Sequence, residues 1–358
     1  MSAAETVQDE RVAVATRHWG PRFVAQGVEM SEFERTVARI KTWEQWCREW
    51  GDTAAAYEQM AEDAESDGHS LTAAQAWIRA GLCWHFGKFV FMEDLDQLKK
   101  ASDRAAAAYA RGAWALEPPA ERVLIPYDGI EMPALLRRPA GVTRPPVVVM
   151  SPGLDSVKEE LQTTADYFLR RGMATLAIDG PGQGETEFKR DIEPAYEKPA
   201  GAAIDWLESR EDVDASRLGF YGVSLGGYYA VRVAAHEPRV KATIELAGTY
   251  SLADNWENRS SLSRAAFQKR SGARDDAEAK ERGRAIDMSG LGPRIKAPIL
   301  IMHGKRDPIA PFAGAEKLAA ETPAGEFAVF EDGNHGMTNR PFESRTMMSD
   351  WMAARLGV

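Results

Sequence analysis

Between residues 217 and 236 the chain passes from a short apolar run, Arg217-Leu218-Gly219-Phe220-Tyr221, into a helix-like one at 228–235, by way of Gly222-Val223-Ser224-Leu225-Gly226-Gly227. A G-x-S-x-G pattern in that context constrains the fold strongly. A strand must enter a helix through a turn so sharp that side chains at 222 and 226 would clash, with Ser224 at its tip and a helix N-terminus beneath it. The strand itself is entered from an Asp214-Ala215-Ser216 turn. The plain alternative is an ordinary strand-to-helix turn that happens to contain a serine and glycines.

The surrounding pattern decides what such a turn is built into. Arg122 to Tyr127 and Ile130 to Arg137 are strand-like and separated by Asp128-Gly129, a strong hairpin signal. After them strands are expected at 147–150, 174–178, 218–221, 242–246, 299–302 and 327–330, and helices at 157–171, 195–209, 225–236, 313–321 and 341–355. A leading hairpin followed by alternating strands and helices predicts an α/β fold with a mostly parallel sheet covered on both faces. One gap, 249–297, is long and only weakly periodic, the mark of a cap or lid beside a site.

At 358 residues the chain exceeds one small core, and roughly 150 residues per domain suggests two domains. The segment 31–115 is rich in Ala, Glu, Lys, Gln and Trp at helical spacing, and Pro118-Pro119 ends that pattern. The expected division is therefore a helical domain over 1–118 and an α/β domain over 119–358. Trp77, Leu82, Trp84, His85, Phe86, Phe89, Phe91 and Trp114 exceed what one helix face needs against solvent. They read as core packing, with a second reading in which a few of them cover a pocket of the α/β domain.

Lys and Arg number 44 against 54 Asp and Glu, a net charge of −10 that argues against nucleic-acid or anionic-membrane partners. Cys47 and Cys83 form neither a disulfide framework nor a metal-ligand spacing, so no metal is expected and both read as ordinary thiols. The first ten residues lack a cationic start and an apolar core, and no run of about 18 apolar residues occurs. A soluble, cytoplasmic protein is expected.

A serine hydroxyl needs a base within hydrogen-bond reach, held by a third group. His18, His69 and His85 belong to the helical segment or precede it, and His236 ends the helix that starts beside Ser224, roughly 18 Å away at 1.5 Å per residue. His303 follows the strand at 299–302 and reads as a packed strand-end residue. His335 lies in the loop Glu331-Asp332-Gly333-Asn334-His335-Gly336, and Asp307 in the loop Gly304-Lys305-Arg306-Asp307-Pro308. The assignment is Ser224 as nucleophile, His335 as base and then acid, and Asp307 as the group that orients the imidazole, in a chain order this architecture uses. Taken singly, Asp307 could cap a turn and His335 could be a surface loop residue.

Acyl transfer places negative charge on oxygen, which two backbone N–H groups should meet. One is expected from Leu225, the other from Ser151-Pro152-Gly153-Leu154-Asp155, with Leu154 first and Gly153 second. A phosphate-binding reading of Gly180-Pro181-Gly182-Gln183-Gly184 is weak, because Pro181 removes a donor and no P-loop lysine follows.

With these residues placed, the chain resembles the α/β-hydrolase superfamily over about 120–358, through the G-x-S-x-G elbow, Asp179 to Gly184, His303 to Asp307 and Gly333-Asn334-His335. More narrowly it is similar to the branch of 2,6-dihydroxypseudooxynicotine hydrolase and fungal polyketide-shortening hydrolases, through the helical N-terminal domain and Pro152-Gly153-Leu154-Asp155. The resemblance implies hydrolysis of a carbon–carbon bond next to a ketone, with the triad, an additional acid, no cofactor, a small-molecule substrate and a homodimer. Asp254, Glu257 and Glu245 are the candidates for that acid. Simple carboxylesterases are similar too, and for them triad and oxyanion hole suffice. Two further readings stand: an acyl-peptide hydrolase, whose relatives usually carry a β-propeller where this chain is helical, and a non-catalytic scaffold that keeps the fold.

Overall fold

The computed structural model describes residues 9–358. Residues 1–8, most of the stretch read above for a leader, lie outside the described residues. The chain separates after Leu116 into two units, the second being Glu117–Val358.

The first unit contains α1 (Glu10–Ala25), α2 (Met30–Arg39), α3 (Trp46–Ser66), α4 (Ser70–Lys88) and α5 (Leu95–Gly112). α1 lies ahead of the segment expected to be helical, and Pro21 inside it is the residue that disguises it. Its start is fixed by Asp9, whose carboxylate accepts from the Arg11 N–H at 2.8 Å. The aromatic surplus packs on itself: Phe23 stacks on Phe86 with centroids 3.9 Å apart, and Trp43 on Trp46 at 4.9 Å. The Trp46 indole N–H donates to the Phe86 carbonyl at 3.0 Å, so its polar atom is satisfied inside the cluster. Trp77, Trp84, Phe86, Phe89 and Phe91 are buried, whereas Trp114 is exposed. Both cysteines are free and buried, and burial pushes the Cys47 thiol up to about 12.

The second unit is built on eight strands: β1 (Ala120–Tyr127), β2 (Ile130–Arg137), β3 (Pro146–Ser151), β4 (Ala174–Ile178), β5 (Asp214–Val223), β6 (Val240–Leu246), β7 (Ile299–Gly304) and β8 (Gly325–Phe330). Their order is β1-β2-β4-β3-β5-β6-β7-β8, with β2 antiparallel to both neighbours and every later pairing parallel. This is an α/β-hydrolase fold. Asp128 and Gly129 both have positive φ, 42° and 80°, the two-residue turn that their sequence predicts for the β1–β2 hairpin. β5 begins at Asp214, earlier than expected, because the Asp214-Ala215-Ser216 stretch read as a turn is already extended.

Helices α6 (Gln162–Leu169), α7 (Glu197–Glu208), α8 (Leu225–His236), α11 (Phe312–Glu321) and α12 (Pro341–Leu356) connect or follow the strands. The insertion after β6 carries α9 (Ser261–Arg270) and α10 (Asp276–Gly283). One apolar core lies between the sheet and α6 and α12, where Val148, Met150, Phe168, Ile244 and Met352 are fully buried. The strand order reverses at β3: the chain leaves it for β4 on one side and returns to β5 on the other. Loops leaving β3 and β5 therefore diverge at one crevice, where open α/β sheets place ligands.

Candidate active site

Ser224 stands at that crevice. Its φ of 60° and ψ of −118° are a conformation a side chain rarely adopts, held by a Ser224 N–H bond to Leu246 O at 2.9 Å and by the first turn of α8, where Gly227 N–H donates to Ser224 O at 2.8 Å. The glycines of the motif are needed for close approach. A Cβ on Gly222 would overlap the Gly226 carbonyl, and one on Gly226 would overlap the Ser151 carbonyl of the neighbouring strand end.

Asp307 and His335 meet on adjacent loops after β7 and β8. His335 Nδ1 lies 2.7 Å from Asp307 Oδ2, which leaves the other ring nitrogen as the outward one. Asp307 is buried, and its Oδ1 accepts from the Ile309 and Ala310 N–H groups at 2.8 and 2.9 Å. Burial pushes its carboxyl up, but the His335 imidazole, together with His303 and the Ala310 N–H, outweighs that and holds it below the ordinary carboxylate value. The two loops are laced together by Lys305 N–H to Phe330 O at 2.9 Å and Arg306 N–H to Gly333 O at 3.0 Å. A Cβ on Gly336 would lie 3.5 Å from Val223, so the histidine loop packs beside the residue preceding Ser224. Among the described residues no hydrogen bond joins Ser224 Oγ to His335, a contact that tightens in many hydrolases only when substrate is bound. His303 is buried and its Nε2–H donates to Ala310 O at 2.8 Å, which ties it to the backbone of the Asp307 loop.

The loop after β3 comes against Ser224 from the other side. A Cβ on Gly153 would lie 3.1 Å from Ser224 Cβ, and Leu154 lines the cavity over the serine. The N–H groups of Gly153, Leu154 and Leu225 have no acceptor among the described residues, and Leu225 opens α8, where partial positive charge gathers. The cavity is narrow, with about 10 Å³ of room for a water-sized molecule. Its apolar lining is Leu154, Leu225, Tyr228, Leu252, Phe267 and Ile286, and its polar lining is Ser224, Thr249 and Arg259. Thr249, Leu252, Arg259, Phe267 and Ile286 all come from the insertion after β6.

The candidates for an additional acid stand apart from this lining. Asp254 and Glu257 are exposed, and Glu257 is paired with Lys280 at 2.8 Å. Neither lines the cavity: closeness in sequence to a strand end does not set the direction of a side chain in a loop. Glu245 is buried on β6, with one oxygen accepting from the Gly248 N–H and the other without a partner. Burial pushes its carboxyl up to about 8, with Asp307 adding to the effect, yet it too is absent from the cavity lining.

Further residues brace the site, among them Gln183, Asp179 and Asn334 from segments that carry the family resemblance. Gln183 sends its amide to the carbonyls of Pro152 and Gly153 at 2.7 and 2.9 Å, bracing the loop opposite Ser224. Arg270 from α9 donates to the Leu154 carbonyl and pairs with buried Glu187 at 2.7 Å. Buried Lys158 sits among Asp179, Glu185 and Glu159 at 2.8, 2.7 and 2.7 Å, clamping the loop after β3 to the loop after β4. In the histidine loop the Asn334 and Asn339 side chains each accept the other's backbone N–H, at 3.0 and 3.2 Å. The Gly180 to Gly184 segment is part of this bracing, through Gln183, and its own backbone turns back at Gln183 N–H to Gly180 O.

Comparison with known proteins fits this geometry. The profile of the Esterase FrsA-like family matches residues 26–356. The chain belongs to that family. The 2,6-dihydropseudooxynicotine hydrolase of Paenarthrobacter nicotinovorans is 35% identical over 341 residues, which cover 94% of this chain and 90% of the relative. A crystal structure of a 2,6-dihydroxy-pseudo-oxynicotine hydrolase superposes with a TM-score of 0.86 at 33% identity, covering 94% of this chain and 95% of the other. The 20-hydroxy-prefusarin hydrolase of Gibberella moniliformis is 34% identical over 248 residues, 63% of this chain and 58% of the fungal protein. The protein is thus an enzyme, a hydrolase of α/β fold related to these hydrolases and to esterases. Among the described residues no helix is long and apolar enough to cross a membrane.

Proposed function

We propose that this FrsA-like hydrolase is a serine hydrolase acting on a small aromatic or polyketide-like carbonyl compound, with Ser224, His335 and Asp307 as its triad. The observation that carries the reading is the buried Asp307 carboxylate bonded to His335 Nδ1 at 2.7 Å, on loops packed beside a serine in a strained elbow. In this mechanism Ser224 Oγ adds to the substrate carbonyl while His335 takes its proton. The oxyanion is met by the N–H groups of Leu225 and Leu154, with Gly153 as second choice for the latter. Collapse of the tetrahedral adduct breaks the bond to the leaving group, which takes the proton from His335, as an alcohol from an ester or as a C–H from a ketone. Water, deprotonated by His335, then releases the acid and restores Ser224.

Resemblance to the narrow branch supports carbon–carbon cleavage. The cavity lining supports ester hydrolysis as a second reading, because it contains no carboxyl group among the described residues and the triad needs none beyond Asp307. The same reading gives a small-molecule substrate, no cofactor and a homodimer in the cytoplasm; a light-scattering mass of a single chain would contradict the dimer. Turnover of activated aryl esters and aryl β-diketones by the purified protein tests the whole. Ser224→Ala is expected to lower kcat by about 10⁴-fold or more on whichever class is accepted, and unchanged turnover would refute the proposal.

A further inference from the structure

Arg259 presents a guanidinium that the fold leaves unanswered. It comes from the insertion after β6 and lines the same small cavity as Ser224. Its Nε and Nη1 are cut off from solvent and have no hydrogen-bond partner. The carboxylates of Asp155 and Asp307 act on it only at a distance, since among the described residues none forms an ion pair with it. Burial pushes it down to about 10, which leaves it charged at neutral pH. Every other wall of the cavity is apolar or a hydroxyl. An uncompensated charge in such a place is unfavourable to the fold, and a substrate oxygen bearing negative charge would remove the penalty.

We propose that Arg259 is a specificity-determining anchor for an anionic oxygen of the substrate, carried by a carboxylate or by an ionised enol or phenol close to the scissile carbonyl. This rests on the serine-hydrolase reading of the same cavity. The planar fork suits a two-oxygen anion, and Leu154 and Leu225 line the same cavity. A neutral substrate of the same shape would bind with the guanidinium still unpaired, and so would be discriminated against.

The test compares matched pairs. Monophenyl succinate is set against its methyl ester, and phenyl acetoacetate against its 2,2-dimethyl analogue, which cannot form the conjugated enol, in the wild type, Arg259→Met and Arg259→Lys. The ratio of kcat/KM for the anionic over the neutral member is expected to fall about 10- to 100-fold in Arg259→Met and to be partly retained in Arg259→Lys. The pair in which it falls tells carboxylate from enol. A ratio that stays constant in both pairs overturns the proposal. So does a parallel fall of both members, which would make Arg259 a stabiliser of the oxyanion instead. The melting temperature of Arg259→Met should equal or exceed that of the wild type; a lowered one would assign the residue a structural role. If the wild type turns over no member and Ser224 takes no fluorophosphonate, the serine-hydrolase reading has failed, and calorimetric binding of benzoate still reads the anchor: its Kd rises at least tenfold in Arg259→Met, or the anchor is wrong.

Discussion

Lys158 is fully buried and Arg259 half-buried, with its Nε and Nη1 cut off from solvent, and the surroundings of these two cations of one unit are opposite. Three carboxylates converge on Lys158 within 2.8 Å, whereas Arg259 faces a cavity with no ion-pair partner. Burial alone would lower the Lys158 ammonium, but its carboxylates hold it above its ordinary value, while for Arg259 burial prevails. One charge is part of the scaffold that sets the loops around Ser224. The other is left for something outside the chain.

Removing each cation should separate the two most widely. Lys158→Met strands the buried carboxylates of Asp179 and Glu159 and is expected to destabilise by about 3–5 kcal/mol, read by urea unfolding, in contrast to the unimpaired stability expected of Arg259→Met. A mild effect at Lys158 would dissolve the distinction. Glu245 sharpens it from the acid side, as a buried carboxyl with no cation at all. Its folded value of about 8 lies above the ordinary 4.5, so folding favours the protonated form. Its stabilising contribution is full below about pH 4.5 and is lost as pH rises through about 8. Glu245→Gln should flatten that slope, gaining on the order of a few kcal/mol over the wild type above pH 8 in unfolding titrations.

Smaller effects are expected where a neutral group braces the site. Gln183→Ala frees the Pro152 and Gly153 carbonyls and loosens the loop that bears Leu154, and kcat is expected to fall about tenfold with little change in KM. The exposed pair of Arg340 and Asp332, on the histidine loop, sets the lower bound: Asp332→Ala should cost about 1 kcal/mol or less. A larger loss there would mean that surface pairing, and not burial, governs these loops.

The same contrast separates what the amino-acid sequence reveals from what it conceals. The elbow is legible because Gly222 and Gly226 are required by backbone approach within a few residues, and Asp128-Gly129 announces its hairpin for the same reason. The Asp307 and His335 loops are legible from their places beyond β7 and β8. The insertion after β6 is different: its helices are short, and which of its side chains face the cavity depends on how α9 and α10 pack. Asp254 and Glu257 were the attractive acids there and are exposed, while Arg259, two residues further on, lines the cavity. Lys158 and Arg270 are similarly hidden, since apart from the adjacent Glu159 their partners lie 21 to 116 residues away in the chain.

The role proposed for Ser224 admits the most direct measurement. Intact-mass and peptide mapping after fluorophosphonate treatment should show a single adduct, on Ser224, formed much more slowly in His335→Gln and absent in Ser224→Ala. An adduct on another residue, or labelling of Ser224 that is indifferent to the loss of the His335 imidazole, would contradict the account.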